Sequence, residues 1–75
     1  MELNSIVSKN IKHYMVESKI TTTQISKETK LARSSLTAVI KGQATMIRFE
    51  TIEKLANYFD IEPYELFREK NFKDL

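Results

Sequence analysis

The stretch ITTTQISKETKLARSSLTAVIKG, residues 20–42, constrains the fold most because it carries the start and stop signals of two short helices. Thr21 and Gln24 have the spacing of a capping box, which marks the start of a helix. Apolar residues recur at helical spacing on both sides of a central break, and Gly42 offers a stop. We therefore predict two helices with a tight turn between them. The predicted helices cover residues 22–29 and 33–41, and the break covers residues 30–32.

The composition indicates one folded domain. Hydrophobic residues make up 41% of the 75 residues and charged residues 29%, a balance that favours a packed core over disorder. Cysteine is absent, which excludes disulfides and thiolate metal sites, and no apolar run has the length of a membrane span. We expect a single domain over residues 1–75, with residues 71–75 as a tail.

Helical periodicity continues on both sides of the central stretch. Residues 3–18 and 48–58 predict two longer amphipathic helices, and Pro63 suits the first position of a fifth helix that ends near Lys70. Five short helices with brief connections predict an all-α fold, a compact bundle in which the second and third helices form a helix-turn-helix. The side chains at core spacing are Leu3, Val7, Ile11, Tyr14, Met15, Ser18, Phe49, Ile52, Leu55, Ala56, Tyr58, Phe59 and Phe67.

Charge is distributed unevenly along the chain. Residues 22–48 carry five basic residues and one acidic residue, a net charge of +4, whereas residues 49–75 carry four basic and seven acidic residues, a net charge of −3. The positive potential therefore belongs to the two-helix unit and the loop after it, which favours a polyanion as partner. Chance clustering on a solvated surface is the alternative.

The outward face of the third helix is small, polar or basic, as a helix that enters a DNA groove requires. Arg33 begins this helix, where side chains reach base edges, and its guanidinium suits guanine O6 and N7. A phosphate contact or a solvated side chain is the alternative for Arg33. Two hydroxyls and a methyl group on the same face also suit base edges. The predicted base contacts are Arg33, Ser34, Thr37 and Ala38.

Two further groups of residues suit the sugar-phosphate backbone. Thr22 and Thr23 begin the second helix, where backbone N–H groups and hydroxyls attract a phosphate oxygen. Simple helix-start chemistry is the alternative for both threonines. The second group lies on and after the third helix, and such contacts fix the register without reading sequence. The predicted backbone contacts are Thr22, Thr23, Ser35, Lys41, Gln43, Thr45 and Arg48.

The sequence contains no arrangement that suits catalysis. His13 is the only histidine and has no carboxylate or cysteine cluster at metal spacing, so a structural role is expected for it. Glycine-rich phosphate loops, nucleophile arrangements and acid–base pairs are absent from the sequence. The aromatic residues fit a core better than a stacking platform for single strands. We therefore expect no enzyme activity, no metal and no cofactor.

Segments spread over residues 11–67 share their spacing with one known family. They are IKHY at residue 11, IT at residue 20, IS at residue 25, FETIEKLA at residue 49 and PYELF at residue 63, with Leu31, Leu36, Val39 and Gly42 between them. Together they resemble the Cro/lambda-repressor-like family of helix-turn-helix regulators, also called the xenobiotic response element family. The resemblance implies a lambda-repressor-like bundle, and backbone contacts from the start of its second helix.

The chain departs from the family pattern at several positions. Lys30 replaces the usual glycine of the turn, so either a non-glycine residue adopts the left-handed conformation there or the turn has a different geometry. Ala32 replaces a capping serine, so the start of the third helix should be weakly fixed. Met15 and Ile40 stand where relatives often pair an arginine with an acidic residue. We predict that these two side chains form an apolar contact instead.

Taken together, these features predict a sequence-specific regulator of transcription that binds duplex DNA, a repressor of bacterial or phage origin in the cytoplasm, associated with the nucleoid. A single module buries little surface on DNA, so we expect a homodimer on two half-sites. The dimer surface is expected on the fifth helix and the tail. The alternative is that Phe67 belongs to the core and the tail is frayed. The predicted dimer residues are Tyr64, Phe67, Phe72 and Leu75.

A protein-interaction module, such as an antitoxin-like partner, is the alternative function.

Overall fold

The structure, a computed structural model, describes residues 2–69 as an all-α bundle. Within these residues the elements are α1 (Leu3–Ser18), α2 (Thr22–Thr29), α3 (Arg33–Ile40), α4 (Phe49–Phe59) and a 3₁₀ helix (Pro63–Leu66). The first helix packs against α3 and the 3₁₀ helix, and α2 packs against α3 and α4. The predicted all-α class and the pairing of α2 with α3 are therefore confirmed.

A single apolar cluster joins the elements, and each of them contributes to it. The third helix, for example, turns Leu36 and Val39 inward, while the 3₁₀ helix contributes Leu66. Partly buried side chains such as Tyr14 and Phe59, whose rings stack 5.4 Å apart, close the edge of the cluster. The buried apolar residues are Val7, Ile11, Ile25, Leu36, Val39, Ile52, Leu55, Ala56 and Leu66.

The start of α2 has the predicted capping box. The Thr21 hydroxyl accepts a hydrogen bond from the Gln24 amide at 3.2 Å, and the Thr21 amide donates to Gln24 Oε1 at 3.0 Å. This reciprocal pair satisfies two backbone amides that a helix start leaves without internal partners. The entry into the helix-turn-helix is thus encoded locally.

The turn between α2 and α3 lacks the usual glycine at position 30 and a capping side chain at position 32. Two side chains of α2 form hydrogen bonds to it. Lys30 adopts the left-handed conformation, with φ 62°. The Ser26 hydroxyl donates to the Leu31 carbonyl at 2.8 Å, and the Thr29 hydroxyl accepts from the Leu31 amide at 3.3 Å. Ala32 caps α3 without a side-chain hydrogen bond, as predicted. Ser26 and Thr29 therefore fix Leu31 within the turn, while the first-turn amides of α3 receive no side-chain cap from Ala32.

Replacing Lys30 with glycine is expected to raise the free energy of unfolding by about 0.5–1 kcal/mol. The left-handed conformation costs a side chain about 1–2 kcal/mol, and glycine loses part of this gain through its more flexible unfolded state. Lys27→Gly is the matched control, because it removes the same charge from a right-handed position inside α2 and should cost about 1 kcal/mol. Denaturant unfolding measures both, and a loss of stability in Lys30→Gly would contradict the prediction.

The fifth helix is not an α-helix. The fifth helix was predicted to continue to Lys70, which lies outside the described residues. Up to residue 69 the segment forms one 3₁₀ turn, Pro63–Leu66, so residues 2–69 contain four α-helices rather than five. Asn10 explains the difference, because its side-chain amide nitrogen donates to the carbonyls of Glu65, Leu66 and Arg68 at 3.2, 2.9 and 2.8 Å. A side chain more than 50 residues earlier in the chain therefore engages the carbonyls of Glu65 and Leu66.

Several residues at the ends of helices were predicted to belong to the core but are exposed. Leu3 and Phe49, the first residues of α1 and α4, are 55% and 87% exposed, and Ser18 is also exposed. These predictions were wrong because periodicity gives the side of a helix that faces inward but not the level at which the core ends. Met15 and Ile40 both pack against the core cluster, and their mutual contact stays a prediction.

Candidate nucleic-acid interface

The third helix presents a polar face opposite its buried side. Leu36 and Val39 point into the core, which turns Ser34, Thr37 and Ala38 toward the other side of the helix at 3.6 residues per turn. Ser34 is exposed, whereas Thr37 and Ala38 are partly buried. Arg33 and Ser35 flank this face and are also exposed. The outward face therefore consists of short side chains with an arginine at its start.

The end of α3 reverses the chain through a glycine. Gly42 has φ 73°, its amide donates to the Val39 carbonyl at 3.1 Å, and the Gln43 amide donates to the Ala38 carbonyl at 2.9 Å. This pair of bonds is a Schellman motif, and it confirms Gly42 as the stop of the helix. Lys41 precedes it as an exposed terminal residue, so α3 is one residue shorter than predicted.

The reversal folds the following loop back alongside α3 and forms a half-open groove of about 680 Å³. Three α3 residues line it, Ser35, Ala38 and Val39, and Gln43, Thr45 and Arg48 come from the loop. The groove thus brings together five residues that the sequence singled out. It is not lined by Arg33, Ser34, Thr37 or Lys41, which lie elsewhere on α3 or at its end, nor by Thr22 and Thr23 of α2.

The start of α2 offers a second polar surface. Thr22 and Thr23 occupy its first turn, with Thr22 partly buried and Thr23 exposed. The capping box satisfies the amides of Thr21 and Gln24, while the amides of a first helical turn in general require partners from outside the helix. A helix start of this kind favours an anion such as a phosphate oxygen.

The basic residues of this region are available to solvent. Arg33, Lys41 and Arg48 are exposed, and within residues 2–69 neither of the ion pairs His13–Glu17 and Glu50–Lys54 involves them. Within residues 2–69, neither of these carboxylate contacts therefore neutralises the positive charge of Arg33, Lys41 and Arg48. His13 Nε2 lies 2.9 Å from Glu17 Oε2, one turn further along α1, and its structural role stays a prediction.

Sequence reasoning missed several residues that shape this region. Met46 and Phe49 line the groove and are 85% and 87% exposed, an apolar rim that periodicity had assigned in part to the core. Asn4 and Ser8 of α1 donate to carbonyls at the end of α3 and in the loop. Their i, i+4 spacing beside the apolar stripe is a signal that could have pointed to them.

The structure describes two of the four predicted dimer residues. Tyr64 is 62% exposed, and Phe67 is exposed to a smaller extent while lining a second, apolar groove with Leu3, Met46 and others. Phe72 and Leu75 lie outside the described residues. The surface therefore offers apolar side chains near the 3₁₀ helix.

Metal-binding clusters and membrane-spanning helices are both absent from residues 2–69. No group of three histidine, cysteine, aspartate or glutamate side chains there has the arrangement of a metal site. No helix in the same range is both long enough and apolar enough to cross a membrane.

Comparisons with known proteins agree with this geometry. The chain has a TM-score of 0.83 and 27% identity to the solution structure of the SOS-response transcriptional repressor LexA from Eubacterium rectale, covering 95% of this chain and 74% of that one. A search of curated proteins found no match. The family model of the Cro/C1-type HTH DNA-binding domain matches residues 10–69, which is most of the chain. The chain therefore belongs to the Cro/C1-type helix-turn-helix DNA-binding family.

Proposed function

We propose that this chain is a sequence-specific repressor of transcription that binds duplex DNA with α3 in the major groove. The observation that carries the proposal is the short-chained polar face of α3, which continues into a groove lined by Arg48 and other polar loop residues. Such a face can approach base edges closely, and the loop beside it can follow the phosphates. Similarity to a transcriptional repressor supports repression by occupation of an operator.

The residues divide into two roles in this proposal. Arg33, Ser34, Thr37 and Ala38 read base edges, because they share the outward or flanking surface of α3. The remaining residues hold the sugar-phosphate backbone and set the register of the helix in the groove. These backbone residues are Thr22, Thr23, Ser35, Lys41, Gln43, Thr45 and Arg48.

We further infer that the chain acts as a homodimer on DNA in the bacterial cytoplasm. One module of this size buries about 600–1,000 Å² on DNA, so specificity requires a second copy on a half-site about one helical turn away. The exposed side chains of Tyr64 and Phe67 support a dimer surface at the 3₁₀ helix. An antitoxin-like interaction module is the second candidate, favoured by the exposed apolar side chains of Met46 and Phe49.

Selection of duplexes from a random pool, followed by binding at several salt concentrations, tests the proposal. If Lys41 and Arg48 of two copies neutralise four phosphates, log K should fall against log salt with a slope of about −3.6. The selected site should be a near-palindrome and should bind more tightly than a random duplex of equal length. A slope near zero would refute DNA binding, and equal affinity for both duplexes would favour the interaction module.

A further inference from the structure

The first helix reaches across to the loop after α3 through two polar side chains. Asn4 Nδ2 donates to the carbonyls of Gly42 and Ala44 at 3.0 and 3.4 Å. One turn further along α1, the buried Ser8 hydroxyl donates to the Ile40 carbonyl. Three carbonyls of the segment that leaves α3 are therefore held by α1.

These hydrogen bonds hold a part of the chain that the hydrogen bonds at the end of α3 do not reach. The Schellman bonds of Gly42 and Gln43 fix the end of the helix, but they do not reach beyond residue 43. Asn4 is bonded to Ala44, which directly precedes Thr45 and the rest of the groove-lining loop. Ala44 and Ile47 of the loop also pack against the core cluster, and Asn4 adds two hydrogen bonds that tie the backbone of the loop to α1.

The amide of Asn4 contributes as a donor alone. Both hydrogens of an amide nitrogen are available, and here Nδ2 faces two carbonyl acceptors. Within residues 2–69, Asn4 Oδ1 is buried and has no hydrogen-bond partner. An unpaired buried acceptor opposes folding, so removal of the whole amide loses two bonds but also removes this penalty. Truncation of Asn4 should therefore alter the loop more than the overall stability.

We propose that Asn4 is a positioning residue for DNA binding, which holds the loop carrying Gln43, Thr45 and Arg48 at the distance from α3 that phosphate contacts require. The inference rests on the proposed function and extends it to a residue of α1 that touches neither base nor phosphate. A displaced loop would no longer reach the phosphates, and this would weaken binding to all duplexes alike because phosphate contacts carry no sequence information.

Asn4→Ala and Asn4→Leu test the proposal, the second because it keeps a branched side chain while removing both donors. Each variant should bind the selected duplex and a random duplex about five- to tenfold more weakly, with a slope against log salt shallower by about 1.8, as expected when Arg48 of both copies no longer neutralises a phosphate. In the free protein, amide exchange should accelerate across residues 43–48 and not in α2. Val16→Ala, at an exposed position of the same helix, is the control and should match the wild type.

The outcomes separate the two proposals. Wild-type affinity and slope in two folded Asn4 variants would overturn the positioning role while leaving DNA binding intact. A loss confined to the selected duplex would also overturn it, since that result would assign Asn4 to base reading. A wild-type chain that shows no salt dependence would refute the proposed function, and unchanged loop exchange in the free variants would independently refute the positioning of the loop by Asn4.

Discussion

Replacing Asn10 with aspartate is expected to lower the free energy of unfolding by at least about 3 kcal/mol, a large share of the about 4–11 kcal/mol typical of a 75-residue domain. Asn10 is 1% exposed, and its amide nitrogen donates to three carbonyls at the end of the described chain. Aspartate removes these donors and places a buried carboxylate against carbonyl oxygens. Uncompensated buried charges of this kind cost about 3–5 kcal/mol.

Two companion variants separate the charge from the missing hydrogen bonds. Asn10→Ala leaves the carbonyls of Glu65, Leu66 and Arg68 without their donor and should cost about 1–3 kcal/mol. Lys12→Ala, at an exposed position of the same helix, should change stability by less than about 0.5 kcal/mol. Urea unfolding followed by circular dichroism measures all three. An aspartate variant within about 1 kcal/mol of the wild type would show that Asn10 does not hold the 3₁₀ segment.

The helix boundaries were predictable because their signals are local. The capping box at Thr21 and Gln24 and the glycine at position 42 act within a few residues of the ends they define. The limits of α1 and α2 match the prediction, and those of α3 and α4 differ by one residue. At Lys30 the family pattern left a left-handed residue and a different turn as alternatives, and the structure has the left-handed residue.

The 3₁₀ helix was not predictable in the same way. Nothing between Pro63 and Lys70 forbids an α-helix locally, and the decisive donor, Asn10, lies more than 50 residues earlier in the chain. Helical periodicity identifies apolar residues only, so the predicted core did not include Ser8 and Asn10, two buried polar residues of α1. Such residues are identified by their partners, which only the fold reveals.

The candidate interface was predictable as a set of residues but not as a shape. The polar face of α3 follows from the positions of Leu36 and Val39, and the basic loop follows from the charge distribution. The groove between them arises because Gly42 and Asn4 fold the loop back, a long-range effect. Exposed Phe49 was misplaced for a related reason, since helical spacing does not indicate that α4 extends beyond the core.

Replacing Arg33 with alanine is expected to reduce the preference for the selected site at one base position by about 5- to 150-fold, the equivalent of about 1–3 kcal/mol. Arg33 is exposed in the first turn of α3, where a guanidinium can form two parallel hydrogen bonds to guanine. Binding to the selected duplex and to its single-base variants measures the effect. The affinity for random duplexes should fall much less, because the guanidinium contacts a base and its removal lowers the preference for one sequence over others.

Two basic controls distinguish base reading from simple attraction. Lys41→Ala removes an exposed charge at the end of α3 in both copies and should weaken all duplexes alike, with a salt slope shallower by about 1.8. Arg33→Lys keeps the charge but loses the planar fork of donors, so it should lose base preference while retaining the salt slope. If Arg33→Ala instead weakened selected and random duplexes equally, Arg33 would be a phosphate contact, and base reading would fall to Ser34, Thr37 and Ala38.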